Sequence, residues 1–332
     1  MMPTTETQNL IKWILAEGEP WARYRTFLDL LGRSEDDELV KDARTAMIDH
    51  PQVRTLIQSV AKWPGPALTR HNDAQHPIHI LSTLIEFGIS QNDDGLESVL
   101  SEILAHQSRE GAFQIQLNIP TARGGTGSDE WAWMLCDSPV ILHALLGFGC
   151  GELASVKAAI AHLTTLLRNN GWPCAVSPQL GKFRGPGRKE DPCPYANLVS
   201  LKALSLVPCM VNGDICRVGT EALLGHWEQQ KQRKIYMFGI GGDFRKLKYP
   251  FIWYDILHVV EILSRFPHVY EDRRFLEMLN ELEQQADSEG RYMARSAYRA
   301  CGGWEFADKK HPPQWLTFLV LRIRKRLERL AG

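Results

Sequence analysis

The chain repeats itself at intervals of about sixty residues, and a period of that kind constrains the fold more than any single motif does. Five largely apolar segments each start at or beside a proline or polar residue and close near a turn: HPIHILSTLIEFG from His76, CDSPVILHALLGFG from Cys136, CPYANLVSLKALSLVP from Cys193, YPFIWYDILHVVEILSRFP from Tyr249 and HPPQWLTFLVLRIRK from His311. Between them run GLESVLSEILAHQ, ASVKAAIAHLTTLLRN, GTEALLGHWEQQ and FLEMLNELEQQA, with apolar residues at i, i+3, i+4 and i+7. A helix with one apolar stripe sits on the outside of a fold, and one that is apolar all round is enclosed. Each repeat therefore reads as outer helix, loop, inner helix.

The loops repeat too. QSREGAF (107–113), RNNGWPC (168–174), GGDF (241–244), SEGRY (288–292) and CGGWEF (301–306) each place Gly before an aromatic ring. Gly closes a helix with positive φ, and the ring covers the turn. No sustained alternating segment signals a strand. The N-terminal stretches NLIKWILAEGEPWARYRTFLDLLG and ELVKDARTAMIDHPQVRTLIQSVAKW add three helices before the first clear repeat. Nothing Pro- or Ser-rich marks a linker, so residues 1–332 read as one domain, with N-terminal helices over 1–50 and repeats over 51–328. Successive hairpins either spiral open or close on themselves, and nearly wholly apolar inner helices point to closure. The expected fold is all-α, an α/α toroid of about five to six helical hairpins around a central cavity.

Apolar residues make up 44% of the chain, ample for a core of this size, and 38 Lys and Arg balance 39 Asp and Glu. A net charge of −1 supplies no general attraction for nucleic acid or an anionic membrane. The N-terminus lacks a signal-peptide pattern and no long uncharged apolar run follows, so a cytoplasmic location without stable membrane insertion is expected. Seven cysteines, an odd number, fit reduced thiols better than a disulfide framework. The basic C-terminal RIRKRLER reads as a solvated helix end, with contact to anionic lipid as the other possibility.

Gln107-Ser-Arg-Glu-Gly111-Ala-Phe113 follows a Q-x-x-x-G-x-W/F pattern. With inner helices recurring at the same period, it resembles the prenyltransferase and squalene-oxidase repeat of the α/α-toroid superfamily. That superfamily contains squalene–hopene and other class II terpene cyclases and the β subunits of protein prenyltransferases. The resemblance spans roughly residues 50 to 328, and the C-terminal segments look like an uncharacterised prokaryotic branch. It implies an enzyme acting on a prenyl diphosphate or related hydrophobic small molecule.

Class II cyclases protonate an alkene with the middle acid of D-x-D-D-T-A. The nearest stretch here is Met134-Leu-Cys136-Asp137-Ser138-Pro139, which keeps only Asp137 and has Cys136 at the proton-donating position. A thiol is a poor acid for an alkene. Asp137 then reads as a helix N-cap, and the neighbouring Asp129, Glu130, Trp131 and Trp133 as a solvated turn with packed rings or the mouth of a pocket.

Protein prenyltransferase β subunits hold zinc through Asp-x-Cys at the start of one inner helix and a His on the next, with basic residues just upstream for the diphosphate. Asp191-Pro192-Cys193 resembles the pair, and Arg184, Arg188 and Lys189 precede it. Carboxylate and thiolate suit Zn²⁺, and guanidinium groups suit a diphosphate. The family's His position is occupied by Asp255, and His258 lies one helical turn on, so either could complete a zinc site; Cys174 is a further candidate. The resemblance thus implies Asp191, Cys193, Asp255 and His258 as metal ligands and catalytic residues, with Asp137 beside them. Tyr195, Trp253, Tyr254, Trp304, Trp172 and Trp315 would form electron-rich walls. Family enzymes of this class work with a second subunit, for which this sequence carries no evident feature.

HNDAQHPIHI offers His71, Asp73, His76 and His79; His76 and His79, at i and i+3, could face the cavity, but neutral, satisfied histidines are the simpler reading. Two other readings remain: a carbohydrate-active toroid hydrolase or lyase using Asp137, Asp255 and Glu305, and a non-catalytic scaffold that binds a ligand or protein.

Overall fold

A computed structural model describes residues 5–185, 187–235 and 237–328. Among the described residues the chain is mostly helical, with fourteen α-helices and one two-stranded antiparallel sheet. The inner segments of the repeat form Pro77–Phe87, Ser138–Gly147, Pro194–Leu204, Ile256–Leu263 and Gln314–Glu328. Proline at the first turn opens several of these, where its missing N–H costs nothing. Every residue of Pro194–Leu204 and of Ile256–Leu263 is buried, as all-round apolar faces require.

Each inner helix packs on its sequence neighbour in that order. Gln314–Glu328 then contacts Pro20–Arg25, which in turn contacts Pro77–Phe87, so the chain of contacts returns to the helix where it started. A second set lies against these: Pro51–Val60, Ala154–Thr165, Asp214–Glu228, Arg273–Glu283 and Thr5–Glu17 pack respectively on the five inner helices. The N-terminal region differs from the three helices expected before the repeats. Pro20 and Pro51 open new helices, and His50 caps the second of them, giving four: Thr5–Glu17, Pro20–Arg25, Glu38–Asp49 and Pro51–Val60.

The Gly–aromatic loops act as small clasps. Gln107 Nε2 donates to Gly111 O and to Ser155 O, both at 2.7 Å, tying the loop to the next outer helix. Gly111 has φ +107°, and a Cβ there would lie 2.8 Å from Ala158 O. Only glycine fits that approach. Phe113 is buried behind it. Equivalent bridges join Arg168 to Gly171 and Ala286 to Tyr292.

The solvated turn expected around Asp129 is instead a short hairpin, Ile115–Asn118 paired with Asp129–Ala132. Asp129 accepts from Asn118 Nδ2 at 2.7 Å, and Trp131 stacks on His106. Four residues per strand is too short for an alternating pattern to stand out.

A candidate thiol site at the helix N-termini

Three extended segments lie side by side above the inner helices. Residues 172–177 form the middle one: Leu135 N–H donates to Ala175 O at 3.0 Å and Ser177 N–H to Trp133 O at 2.9 Å on one side, while Cys193 N–H donates to Trp172 O at 2.8 Å on the other. Cys136, Cys174 and Cys193, one from each segment, are thereby drawn together. Asn197, fully buried one turn into its helix, locks the register. Its Oδ1 accepts Trp172 N–H at 3.0 Å, and its Nδ2 donates to Trp172 O at 2.9 Å and to Cys193 O at 2.8 Å.

Cys193 occupies the N-cap position of Pro194–Leu204 without a side-chain capping bond, at the helix end whose first backbone N–H groups carry partial positive charge. Interaction with the neighbouring Cys136 thiol lowers the Cys193 pKa below that of an ordinary thiol; burial opposes the shift, and the N–H groups of Ala196 and Tyr195 and the nearby His71 reinforce it. The same interaction, with burial, drives Cys136 well upward. Cys174 is pushed up to about 11, chiefly by burial, and its sulfur accepts Gly185 N–H at 3.1 Å, which ties it to the glycine-rich loop.

Asp137 stands at the N-cap of Ser138–Gly147, but its carboxylate makes no capping bond. It faces His71 instead, with Oδ1 3.0 Å from Nδ1. Forgoing a cap costs about 1 kcal/mol, so the contact with His71 is a local expense for the helix. Burial disfavours the imidazolium, yet the Asp137 carboxylate outweighs it and Cys193 adds to the effect, so the His71 pKa is raised. Asp137 is 1% exposed and each of Cys136 and Cys193 is 7% exposed, whereas the His71 side chain keeps 20% of its surface. His71 is the most exposed of these four side chains.

An aromatic wall adjoins Cys193. The Tyr195 ring lies 4.8 Å from Trp253 and faces Phe238 at 6.3 Å, and Phe238 meets Tyr254 edge-on at 6.0 Å. Trp304 and Trp315 belong to another cluster, around Phe87 and Trp21, and Trp172 is a core ring that donates to Leu163 O. Arg184, Arg188 and Lys189 are exposed on the loop before Asp191, and the Arg184 charge acts on Cys174.

The expected zinc ligands are not gathered. Asp191 is ion-paired with Arg233, accepts Arg188 N–H at 2.9 Å and lines an outer cavity of about 820 Å³. Asp255 caps its own helix by accepting His258 N–H at 3.1 Å, and burial raises its pKa to about 7. His258 gives its Nδ1 to Trp253 O at 2.8 Å and stacks on Phe251; burial lowers its pKa to about 3. Among the described residues no three His, Cys, Asp or Glu side chains converge in a metal-holding arrangement. Glu305 accepts Trp315 N–H at 3.3 Å, apart from the thiols, and burial raises it to about 8. His76 and His79 are satisfied by Pro66 O and His71 O, and Asp73 accepts Gln75 N–H.

The interior between the inner helices is also less apolar than their sequences suggest. Glu86 and Glu261 share Arg265 and Arg322, Glu261 also takes Arg326, and Lys202 Nζ donates to Ser82 Oγ at 2.9 Å. This network lines a cavity of about 460 Å³ at the C-terminal ends of the inner helices, remote from the N-terminal ends that carry the thiols.

Sequence reasoning singled out Cys193 and Asp137 but set His71 aside as a satisfied side chain and treated Cys136 only as a missing acid. The signal was present: Cys136 and Cys193 both stand just before the first turn of successive inner helices. Equivalent positions in a repeat share one end of the fold.

No protein-family model and no curated protein matches the chain. Among solved structures it is similar to a protein from Actinoplanes, 11% identical over 99% of both chains with a TM-score of 0.43. It is also similar to the type II terpene cyclase MstE from Scytonema, 10% identical over 98% of this chain and 99% of that one, TM-score 0.43. A variant of that cyclase in complex with geranylgeranyl dihydroxybenzoate gives 10% identity over 98% of both chains and a TM-score of 0.45.

Proposed function

We propose that the chain is an α/α-toroid enzyme in which the Cys193 thiolate is the nucleophile toward a small, largely hydrophobic molecule carrying an electrophilic carbonyl. The observation that carries this reading is the contact of the His71 imidazole with the buried Asp137 carboxylate, on an imidazole that also feels the charge of Cys193, the N-cap residue of Pro194–Leu204. The closed order of inner-helix contacts, completed through Pro20–Arg25, supports the toroid.

In the reaction, Cys193 Sγ attacks the carbonyl carbon and a C–S bond forms. The leaving oxygen or sulfur departs with the proton held on His71. Neutral His71 then takes a proton from water as its oxygen attacks the thioester, and Cys193 is released as thiolate. Asp137 keeps the imidazole oriented and favours its charged form, a positioning role. Tyr195, Trp253 and Tyr254 would border the apolar part of the substrate. The zinc ligand set implied by the resemblance is not assembled, and no step is assigned to a metal.

Limited alkylation by iodoacetamide at pH 6, followed by peptide mapping, tests the reading. Cys193 should be modified ahead of Cys209, the exposed cysteine. Turnover of an activated ester of a hydrophobic acid should vanish in Cys193→Ala. Labelling of Cys209 first, or stoichiometric zinc that is lost in Cys193→Ala, would overturn the nucleophile.

A prenyl diphosphate as substrate is a second reading, favoured by Arg184, whose charge acts at the edge of the thiol group beside the aromatic wall. Thermal stabilisation by geranylgeranyl diphosphate that disappears in Arg184→Ala would support it, and equal stabilisation of both proteins would remove it.

A further inference from the structure

The cavity of about 460 Å³ at the C-terminal ends of the inner helices is lined by charges that do not balance. Arg25, Arg265, Arg322 and Arg326 line it, and their carboxylate partners are Asp29, Glu86 and Glu261. Lys202 adds a fifth cation behind these four; its Nζ bonds to the neutral Ser82 hydroxyl, and burial lowers its pKa only to about 8. Five cationic groups against three carboxylates leave two positive charges over. His143 lines the same cavity and adds no charge, because burial holds its pKa well below the usual imidazole value.

Helix C-termini favour cations, and ion pairing alone accounts for two of these arginines. Arg265 and Arg322 are engaged by Glu86 and Glu261, and Arg265 Nη1 also donates to Ser205 Oγ at 3.0 Å. Arg25 and Arg326 are not used up in this way. Among the described residues, every side-chain hydrogen bond of Arg25 leaves from Nη2, toward Asp29, and every one of Arg326 leaves from Nη1, toward Glu261 and Ser264. Each keeps guanidinium N–H groups for a ligand, and each side chain is 23% exposed. Among the described residues, Arg25 Nε, Arg322 Nε and His143 Nδ1 are buried without a hydrogen-bond partner. Unpaired buried polar atoms are costly, and three around one cavity point to a polar ligand there. Burial lowers the Arg326 pKa to about 10; Glu261 opposes the shift, and Arg322 and Arg265 add to it. An anion beside Arg326 would relieve that repulsion.

We propose that this cavity binds a small organic phosphate monoester, whose phosphate oxygens are taken by Arg25, Arg326 and His143. Guanidinium groups match phosphate oxygens in pairs. A phosphate monoester carries a charge of about −1.5 to −2 near pH 7, which answers the two charges left over, whereas a carboxylate answers only one. Ile85, Leu206, Pro267 and Tyr270 give the same cavity an apolar side for the ester group. Its volume of about 460 Å³ falls among small-molecule pockets, roughly 300–1,000 Å³. The site shares no residue with the thiol site at the opposite helix ends, so it holds or fails independently of the reading of Cys193.

Isothermal titration calorimetry of the full-length protein with phenyl phosphate, inorganic phosphate and benzoate tests the proposal. Phenyl phosphate should saturate at a single equivalent per chain and bind more tightly than either other probe. Arg326→Gln should weaken it on the order of tenfold, as loss of a charge-assisted hydrogen bond does. Arg326 also pairs with Glu261, so a second variant separates binding from folding. Leu206, 37% exposed at the cavity, takes part in no ion pair. Leu206→Glu sets a negative charge there and should weaken phenyl phosphate while the urea midpoint stays close to that of wild type. Phenyl phosphate that does not saturate, or that binds folded Leu206→Glu as tightly as wild type, would overturn the site. Benzoate binding as tightly as phenyl phosphate would overturn phosphate as the ligand class, and inorganic phosphate binding as tightly would overturn the ester.

Discussion

Asp137, 3.0 Å from His71, favours the charged form of the imidazole, so the pair bears on the pH response of the thiol site. Ester turnover should follow a bell, its acid limb set by the lowered Cys193 thiol and its alkaline limb, above the ordinary imidazole value of about 6.5, by His71. In Asp137→Asn that limb should move down in pH, and turnover at pH 7.5 should fall with it. Stability carries the same signature. Because the folded His71 pKa exceeds the unfolded one, its contribution is full below about 6.5 and is lost as pH rises through the folded value. The difference in urea midpoint between wild type and Asp137→Asn should therefore be larger at pH 6 than at pH 8.5, and a constant difference would sever the link. Little of this was legible in the chain itself. Asp137 reads as a helix cap because aspartate before Ser-Pro almost always is one, and His71 lies far away in sequence, so only the folded segments show that the cap was given up for the imidazole.

At the level of the elements, the thiol site depends on a glycine and an amide that contact nothing reactive. Gly171 has φ +116°, and a Cβ there would lie 2.6 Å from Asn197 Oδ1. Asn197 in turn satisfies the backbone of both Trp172 and Cys193. Asn197→Ala should destabilise by about 1–3 kcal/mol because buried backbone groups lose their partners. Gly171→Ala should cost a similar amount, through strain at positive φ added to displacement of the same amide. Chemical denaturation of each, and of the double variant, decides whether they act as one unit. The expected result is a double variant little worse than Asn197→Ala, since one contact is broken twice. The Gly–aromatic loop was readable in advance because its demand is local: one residue must take positive φ and the next must cover a helix end. The hairpin Ile115–Asn118 with Asp129–Ala132 was not, because its pairing partners lie across a loop and each strand is only four residues long.

Across the whole molecule, inner helices read as apolar all round turn out to enclose a charge network. The reason is one of averages. A single Glu86, Lys202 or Glu261 hardly alters the hydropathy of its helix, but the packing order brings these residues, one from each, to a common interior. The helical repeat was therefore legible and its filling was not. Glu261 is fully buried and accepts from Arg265, Arg322 and Arg326, so it neutralises guanidinium groups from just past the end of its own helix and from the neighbouring Gln314–Glu328. Glu261→Gln keeps the shape and removes the charge, leaving three cations with fewer partners, and should destabilise by about 3–5 kcal/mol, as breaking a buried ion pair does. Burial alone would raise the pKa of this carboxyl, but Arg265, Arg326 and Arg322 together hold it far below the usual carboxylate range, and Glu86 is lowered in the same way. A depressed folded pKa gives stability that is complete above the unfolded value of about 4.5 and drains away as pH falls below it. Wild type should accordingly lose stability steeply between pH 4.5 and pH 2, whereas Glu261→Gln, already lacking one such carboxylate, should start lower and fall less over the same range. Circular dichroism in urea at each pH reads both slopes. Parallel curves would mean that the arginines find other partners and that the interior network does not hold the inner helices together.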